Sequence, residues 1–161
     1  MSRRILAILL ILLACLIGFC VAIQLIFQRG GYTNPPVKAE PQWDSRRTRE
    51  LFFRACGDCH SNETVWPWYS KIPPVSLLIE NDTLEGRAYF NVSEWGRPEN
   101  EGGDSAELFQ NGEMPPSVYL LMHSSARLNS TEKQELLKGL IATFGGEQGE
   151  GGEGGEGEEG D

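Results

Sequence analysis

Residues 52–70 read FFRACGDCHSNETVWPWYS, and within them Cys56, Cys59 and His60 form Cys-x-x-Cys-His. Three chemistries use such a cluster: a metal site, thiol exchange, and the attachment of a covalent haem. On a helical turn, positions i, i+3 and i+4 share a face, so both thiols and the imidazole are expected to point one way. That arrangement lets two thioethers reach one porphyrin while the imidazole reaches its iron. A structural zinc site takes four ligands, commonly including a second short-spaced pair. Beyond the apolar N-terminal run, only His123 remains among the usual ligand types. A thioredoxin-like dithiol belongs to a βαβ setting, and no alternating strand pattern occurs in this chain. A plain Cys56–Cys59 disulfide leaves His60 without a role. The cluster therefore reads as the attachment site of one haem c, held through Cys56 and Cys59, with His60 on the iron.

Outward from the cluster, the 161-residue chain divides by composition. Residues 5–27 are an apolar run whose one polar side chain is Gln24. As a helix it reaches roughly 34 Å, enough to cross a hydrocarbon core with some tilt. Arg3 and Arg4 precede it, which keeps the N-terminus cytoplasmic and sends the rest to the outer side of the membrane. The run is too long for a cleaved signal, and VAIQ is a poor cleavage site. Apolar sequence also continues well past the lipoprotein-like LLAC that ends at Cys15. Residues 1–27 are thus expected to be an uncleaved signal anchor in the lipid bilayer, with Cys15 and Cys20 as apolar members of it. Residues 28–43, with three prolines and two glycines, read as a flexible linker spanning about 20–25 Å on average. Residues 145–161 hold nine glycines and seven acids with no apolar side chain, the composition of a disordered tail. Of the formal net charge of −9, that tail carries −7. The remainder is nearly neutral, and no nucleic-acid partner is expected.

The domain proper is placed at residues 44–144. Asp44 or Ser45 is a suitable N-cap for a helix running into the cluster, with Leu51, Phe52 and Ala55 on one face. At the far end Ser130 caps a helix bearing Leu136, Leu137, Leu140, Ile141 and Phe144, which Gly145 and Gly146 stop. Shorter helices are expected over 75–90 and 105–111, and around VYLLMHSSARL. The stretch from Ser61 to Gly103 is broken by prolines and glycines. The fold expected is small and all-α, with long loops and a core that a large prosthetic group completes.

His60 supplies one axial ligand, and three residues compete for the sixth position. Met114 leads: it sits in NGEMPPSVY, where Pro115 biases it towards extended backbone and Pro116 stiffens the strap. His123 is the alternative, and Met122 reads as packing. Methionine ligation raises the reduction potential relative to bis-histidine, whereas an open site binds small ligands. Pro73 or Pro74 is a candidate to accept from the other nitrogen of His60. Tyr69, Arg87 and Trp95 are candidate partners of haem propionates, while Trp66 and Trp68 read as packing. Asn62, Asn81, Asn91 and Asn129 each stand in Asn-x-Ser/Thr, but haem attachment of this kind belongs to a bacterial-type envelope, where these are not expected to carry sugar.

The order of helix, CGDCH, loops, MPP and closing amphipathic helix resembles a class I cytochrome c. That resemblance implies that the first and last helices cross near the haem edge, with Phe52 as the aromatic of the first. Where the family has glycine at the crossing, this chain has Thr48, which implies a looser or shifted contact. More closely, CGDCHSNETVWPWYSKIPPVS, EGRAYFNVSEW and GEMPPSVYLLMHSSARLNSTEKQELL are similar to a family of small bacterial haem-binding domains tethered by one N-terminal helix. The resemblance covers about residues 45–144 and matches both Met114 and His123.

Together these readings give a membrane-anchored monohaem cytochrome c on the periplasmic face of the cytoplasmic membrane. It is expected to pass single electrons between redox protein partners and to transform no substrate itself. The alternative is a haem-based sensor or ligand-binding module with an open or displaceable sixth site.

Overall fold

The computed structural model describes residues 3–27, 32–100 and 102–145. Among them the architecture is all-helical: α1 (Arg3–Phe27), α2 (Arg46–Ala55), α3 (Gly57–His60), α4 (Val75–Tyr89), α5 (Ser105–Gln110), α6 (Ser117–Met122) and α7 (Ser130–Phe144), with 3-10 turns at Trp68–Lys71, Gly102–Asp104 and Ser124–Ala126. The one β-type pairing among the described residues is an isolated bridge between Ala39 and Glu94. The tail from residue 146 onwards lies outside the described residues.

Local chemistry sets the helix ends. Ser45 caps α2, its Oγ accepting from Thr48 N at 3.1 Å. At α7 the cap is Asn129 rather than the expected Ser130. Asn129 Oδ1 accepts from Glu132 N at 3.0 Å, and Glu132 Oε2 accepts from Asn129 N at 3.0 Å, a reciprocal capping box. The helix expected to run through the cluster breaks at Cys56, where φ is −123°, so Cys59 and His60 lie on the separate short turn α3.

α2 and α7 pack on each other, and α5 packs on α7. Leu51, Phe52, Leu136, Leu140 and Phe144 are at most 2 % exposed and form the centre of the core. Phe52, Phe90, Trp43 and Phe144 meet at ring-centroid distances of 5.2–6.3 Å in edge-on or tilted pairs, the arrangement aromatic quadrupoles prefer. The crossing is tight, not loose. Its small residue is Gly139 on α7, where an added Cβ would lie 2.1 Å from Thr48 Oγ1. The glycine has moved to the opposite helix, and the close approach survives.

The stretch 61–104 is held by polar groups instead. Arg87 is 8 % exposed, and it donates to Ser61 O at 2.8 Å, Thr33 O at 2.8 Å, Asn34 Oδ1 at 3.0 Å and Thr64 Oγ1 at 2.8 Å. Asn91 Nδ2 donates to Asn62 Oδ1 at 2.9 Å, and Ser93 Oγ accepts from Asn62 N at 2.9 Å. Two of the Asn-x-Ser/Thr asparagines are therefore buried structural groups, and Asn129 is a helix cap.

The linker expected over 28–43 is largely not a linker. Residues 28–31 lie outside the described residues, but Tyr32 to Trp43 form a strap fastened to the domain. Tyr32 OH donates to Ser76 O at 2.7 Å, Asn34 Nδ2 to Thr64 O at 2.9 Å, and Lys38 N to Ser93 O at 2.8 Å. Trp43 packs on the core. The partners of this strap are backbone carbonyls and polar side chains distant in sequence, which leave no periodic mark. Among the described residues α1 alone is long and apolar enough to cross a membrane, over Arg3–Leu25 with mean hydropathy 3.2. It touches the domain at α4, where Ser76 Oγ bonds Gln24 Oε1.

Candidate functional site

Cys56, Cys59 and His60 sit where α2, α3 and α4 meet. Gly86 on α4 makes that approach possible, since a Cβ there would stand 2.7 Å from Cys59 O. His60 is joined to the segment after α4 by two bonds: its Nδ1 pairs with Phe90 O at 2.9 Å, and its carbonyl accepts from Val92 N at 2.9 Å. The carbonyl that fixes the ring is thus Phe90, not Pro73 or Pro74. With Nδ1 so occupied, Nε2 is the nitrogen left for a ligand. Burial holds the imidazole below its usual pKa of 6.5, and so keeps it neutral, the form that binds metal.

All the cysteines are free thiols. Burial pushes Cys56 up to about 12 and Cys59 up to about 11, each raised further by neighbouring negative charge. The two thiols do not open on one space. Cys56 and His60 line a cavity of about 470 Å³, mouth included, walled mainly by Phe52, Phe90, Leu108, Phe109, Leu140 and Met114. Cys59 lines a second cleft of about 630 Å³, with Tyr69, Leu78, Val118, Tyr119, Met122 and His123. The break at Cys56 separates what an unbroken helix would have aligned. Among the described residues no three His, Cys, Asp or Glu side chains gather to chelate a bare metal ion.

The rivals for the sixth position part here. Met114 shares the cavity of Cys56 and His60. His123 lies in the other cleft with both ring nitrogens engaged, Nδ1 with Tyr119 O at 2.9 Å and Nε2 with Tyr69 OH at 3.3 Å. It also stacks on Tyr119 at 3.9 Å. Tyr119 in turn donates to Asp58 Oδ2 at 2.8 Å, linking α6, which follows Met114, to the middle of the cluster. Burial and the Asp58 carboxylate drive the Tyr119 phenol well above its usual range.

Two of the expected propionate partners are committed elsewhere. Arg87 is spent on the strap and the 61–64 loop, and Trp95 packs between Phe90 and Phe144. Trp66 also serves the strap, donating to Asn34 Oδ1 at 3.1 Å and meeting Tyr32 edge-on. Trp68, expected to pack, is 79 % exposed. A polar group that sequence reasoning misses is Ser105, whose buried Oγ lines the Met114 cavity and has no partner within the described protein. A buried hydroxyl without a partner is costly, and a haem carboxylate would answer it. The residues of this cavity fit a haem: the free Cys56 thiol, a neutral oriented imidazole, a thioether in the same apolar lining and an unanswered donor in its wall, while Cys59 opens on the other cleft.

Over residues 18–142 the chain matches the family model of a haem-binding domain. The chain belongs to the haem-binding domain family. No curated protein and no solved structure matches it. The matched stretch of this haem-binding domain begins at Gly18, inside α1, and runs through the strap. The end of α1 and residues 32–43 are thus part of the family unit, not an appendage to it.

Proposed function

We propose that this haem-binding domain is a membrane-tethered monohaem c-type cytochrome, a carrier of single electrons between redox proteins on the outer face of the cytoplasmic membrane. The observation that carries this reading is the apolar cavity that Met114 shares with Cys56 and His60. When bound, haem supplies a one-electron ferrous–ferric couple. The chain's own residues would do the rest. Cys56 and Cys59 would carry the thioether links. His60 Nε2 would bind the iron, its ring held by Phe90 O. Met114 would be a second iron ligand, held in place by Pro115 and Pro116, with the Tyr119–Asp58 bond tying down α6 after it. Ser105 would donate to a propionate. α1 would span the bilayer, with Arg3 and Arg4 keeping its start in the cytoplasm. The strap fastens the domain beside α1, so its partners would be proteins at the membrane surface.

Met114 is 39 % exposed, which favours one second reading, a sensor whose sixth ligand is displaced by a small molecule. The absorption spectrum of haem-loaded protein, with and without carbon monoxide, separates them. A low-spin spectrum with the methionine charge-transfer band, unmoved by carbon monoxide, is expected; ready carbon monoxide binding overturns the carrier. Met114→Ala is expected to lose that band, admit carbon monoxide and lower the potential. An unchanged band in this variant would remove Met114 from the iron and assign the band to Met122, whereas a low-spin parent spectrum without the band would point to His123.

A further inference from the structure

The geometry points to a membrane-docking face on the haem-binding domain: Val65, Trp68, Ile72, Val75 and Leu78 lie in the headgroup zone of the bilayer that α1 crosses. This rests on the reading of α1 as an anchor and adds an orientation to it. These side chains are 76, 79, 46, 43 and 52 % exposed, an unusual run for a soluble surface. They adjoin one another, since Val65, Val75 and Leu78 rim the same cleft and Trp68 and Ile72 lie on the turn leading into α4.

What covers them follows from where α4 is tied. Ser76 is fully buried and bonds through Oγ to Gln24 and through its carbonyl to Tyr32 OH. Gln24 lies inside the apolar span Arg3–Leu25. The start of α4 is therefore level with the last turn of a membrane helix; Ile72 and Val75 precede that point in sequence and Leu78 follows it. A surface held at that depth meets lipid. Its composition suits the boundary: an exposed tryptophan, an adjacent tyrosine at Tyr69, and the exposed Lys71, whose stem can lie along apolar surface while its ammonium reaches the headgroups. Two exposed acids border this face: Glu63 pairs with Arg49 at 3.6 Å, and Asp82 lines the same cleft as Leu78, one helical turn further along α4.

Nitroxide accessibility in nanodiscs tests this on full-length, haem-loaded protein with Cys15 and Cys20 replaced by alanine. Labels go on Val65→Cys, Trp68→Cys, Leu13→Cys in α1, and Ile141→Cys, a 55 % exposed position of α7, the helix that packs on α2 and α5. Labels at 13, 65 and 68 are expected to meet oxygen in preference to a water-soluble nickel chelate by several-fold, and the label at 141 the reverse. A lipid-like label at 13 with water-like labels at 65 and 68 overturns the docking face and leaves the anchor standing. Water-like labels at all four positions overturn the anchor and the face with it. Labels at 65 and 68 that neither reagent reaches mean a covering of haem or protein, and also overturn the proposal.

Discussion

The α2–α7 crossing and the segment between Ser61 and Asp104 hold the same domain together by different physics. The crossing buries apolar side chains around Phe52 and Phe144 and admits a backbone approach at Gly139. The intervening segment buries polar groups, with Arg87, Asn62, Asn91 and Ser93 satisfying one another and the backbone. Apolar burial is tolerant of small changes in geometry and intolerant of lost volume. A buried hydrogen-bond network is the reverse, because each orphaned partner retains its full desolvation cost.

Substitutions that strike each region separately sharpen the contrast, and the largest effect belongs to the polar one. Arg87→Met keeps most of the side-chain bulk but withdraws the donor from four acceptors, of which Asn34 Oδ1 keeps Trp66, and is expected to cost roughly 3 kcal/mol, read as a fall in the thermal midpoint of haem-loaded protein in detergent. The strap should then become protease-sensitive between Tyr32 and Trp43. A resistant strap would mean that Trp43 and Tyr32 suffice to hold it. At the crossing, Gly139→Ala places a methyl against Thr48 and is expected to cost about 1–3 kcal/mol. Thr48→Gly in the same chain should recover much of that loss. Failure of that rescue would place the strain elsewhere than at the Thr48 contact.

The smallest effect is electrostatic. Glu40 accepts from Arg49 through both oxygens at 2.7 Å, and that pairing holds its carboxyl below the usual 4.5. A lowered folded-state value contributes stability above 4.5 that is lost as pH falls through the folded value. Glu40→Gln is therefore expected to be less stable at pH 7 by under about 1 kcal/mol, since both groups are partly exposed. Variant and parent should converge in acid, which unfolding midpoints at pH 7 and pH 3 would show; a constant gap would assign the loss to packing.

The same division explains what the sequence makes legible. Leu51, Phe52, Leu136, Leu140 and Phe144 announce themselves by helical spacing, and Cys56, Cys59 and His60 by motif. Met114 is legible because a thioether beside two prolines stands out in a loop. The strap is not, because Tyr32, Asn34 and Lys38 bond to carbonyls and polar side chains that no periodicity marks. Nor is the Phe90 carbonyl on His60, since every residue carries a carbonyl and only the fold selects one. Arg87 stands out in the sequence, but its role does not. An arginine in a haem-binding sequence suggests a propionate partner, whereas the fold directs its donors to the strap and the 61–64 loop. The glycine of the crossing lies on α7 rather than α2, because close approach needs one small residue and either helix can give it.

The two buried thiols have a bearing on oxidation. Disulfide formation proceeds through the thiolate, and burial raises both Cys56 and Cys59 above an ordinary cysteine, which disfavours that form. The fold therefore works against closure of Cys56 onto Cys59 and favours two free sulfurs.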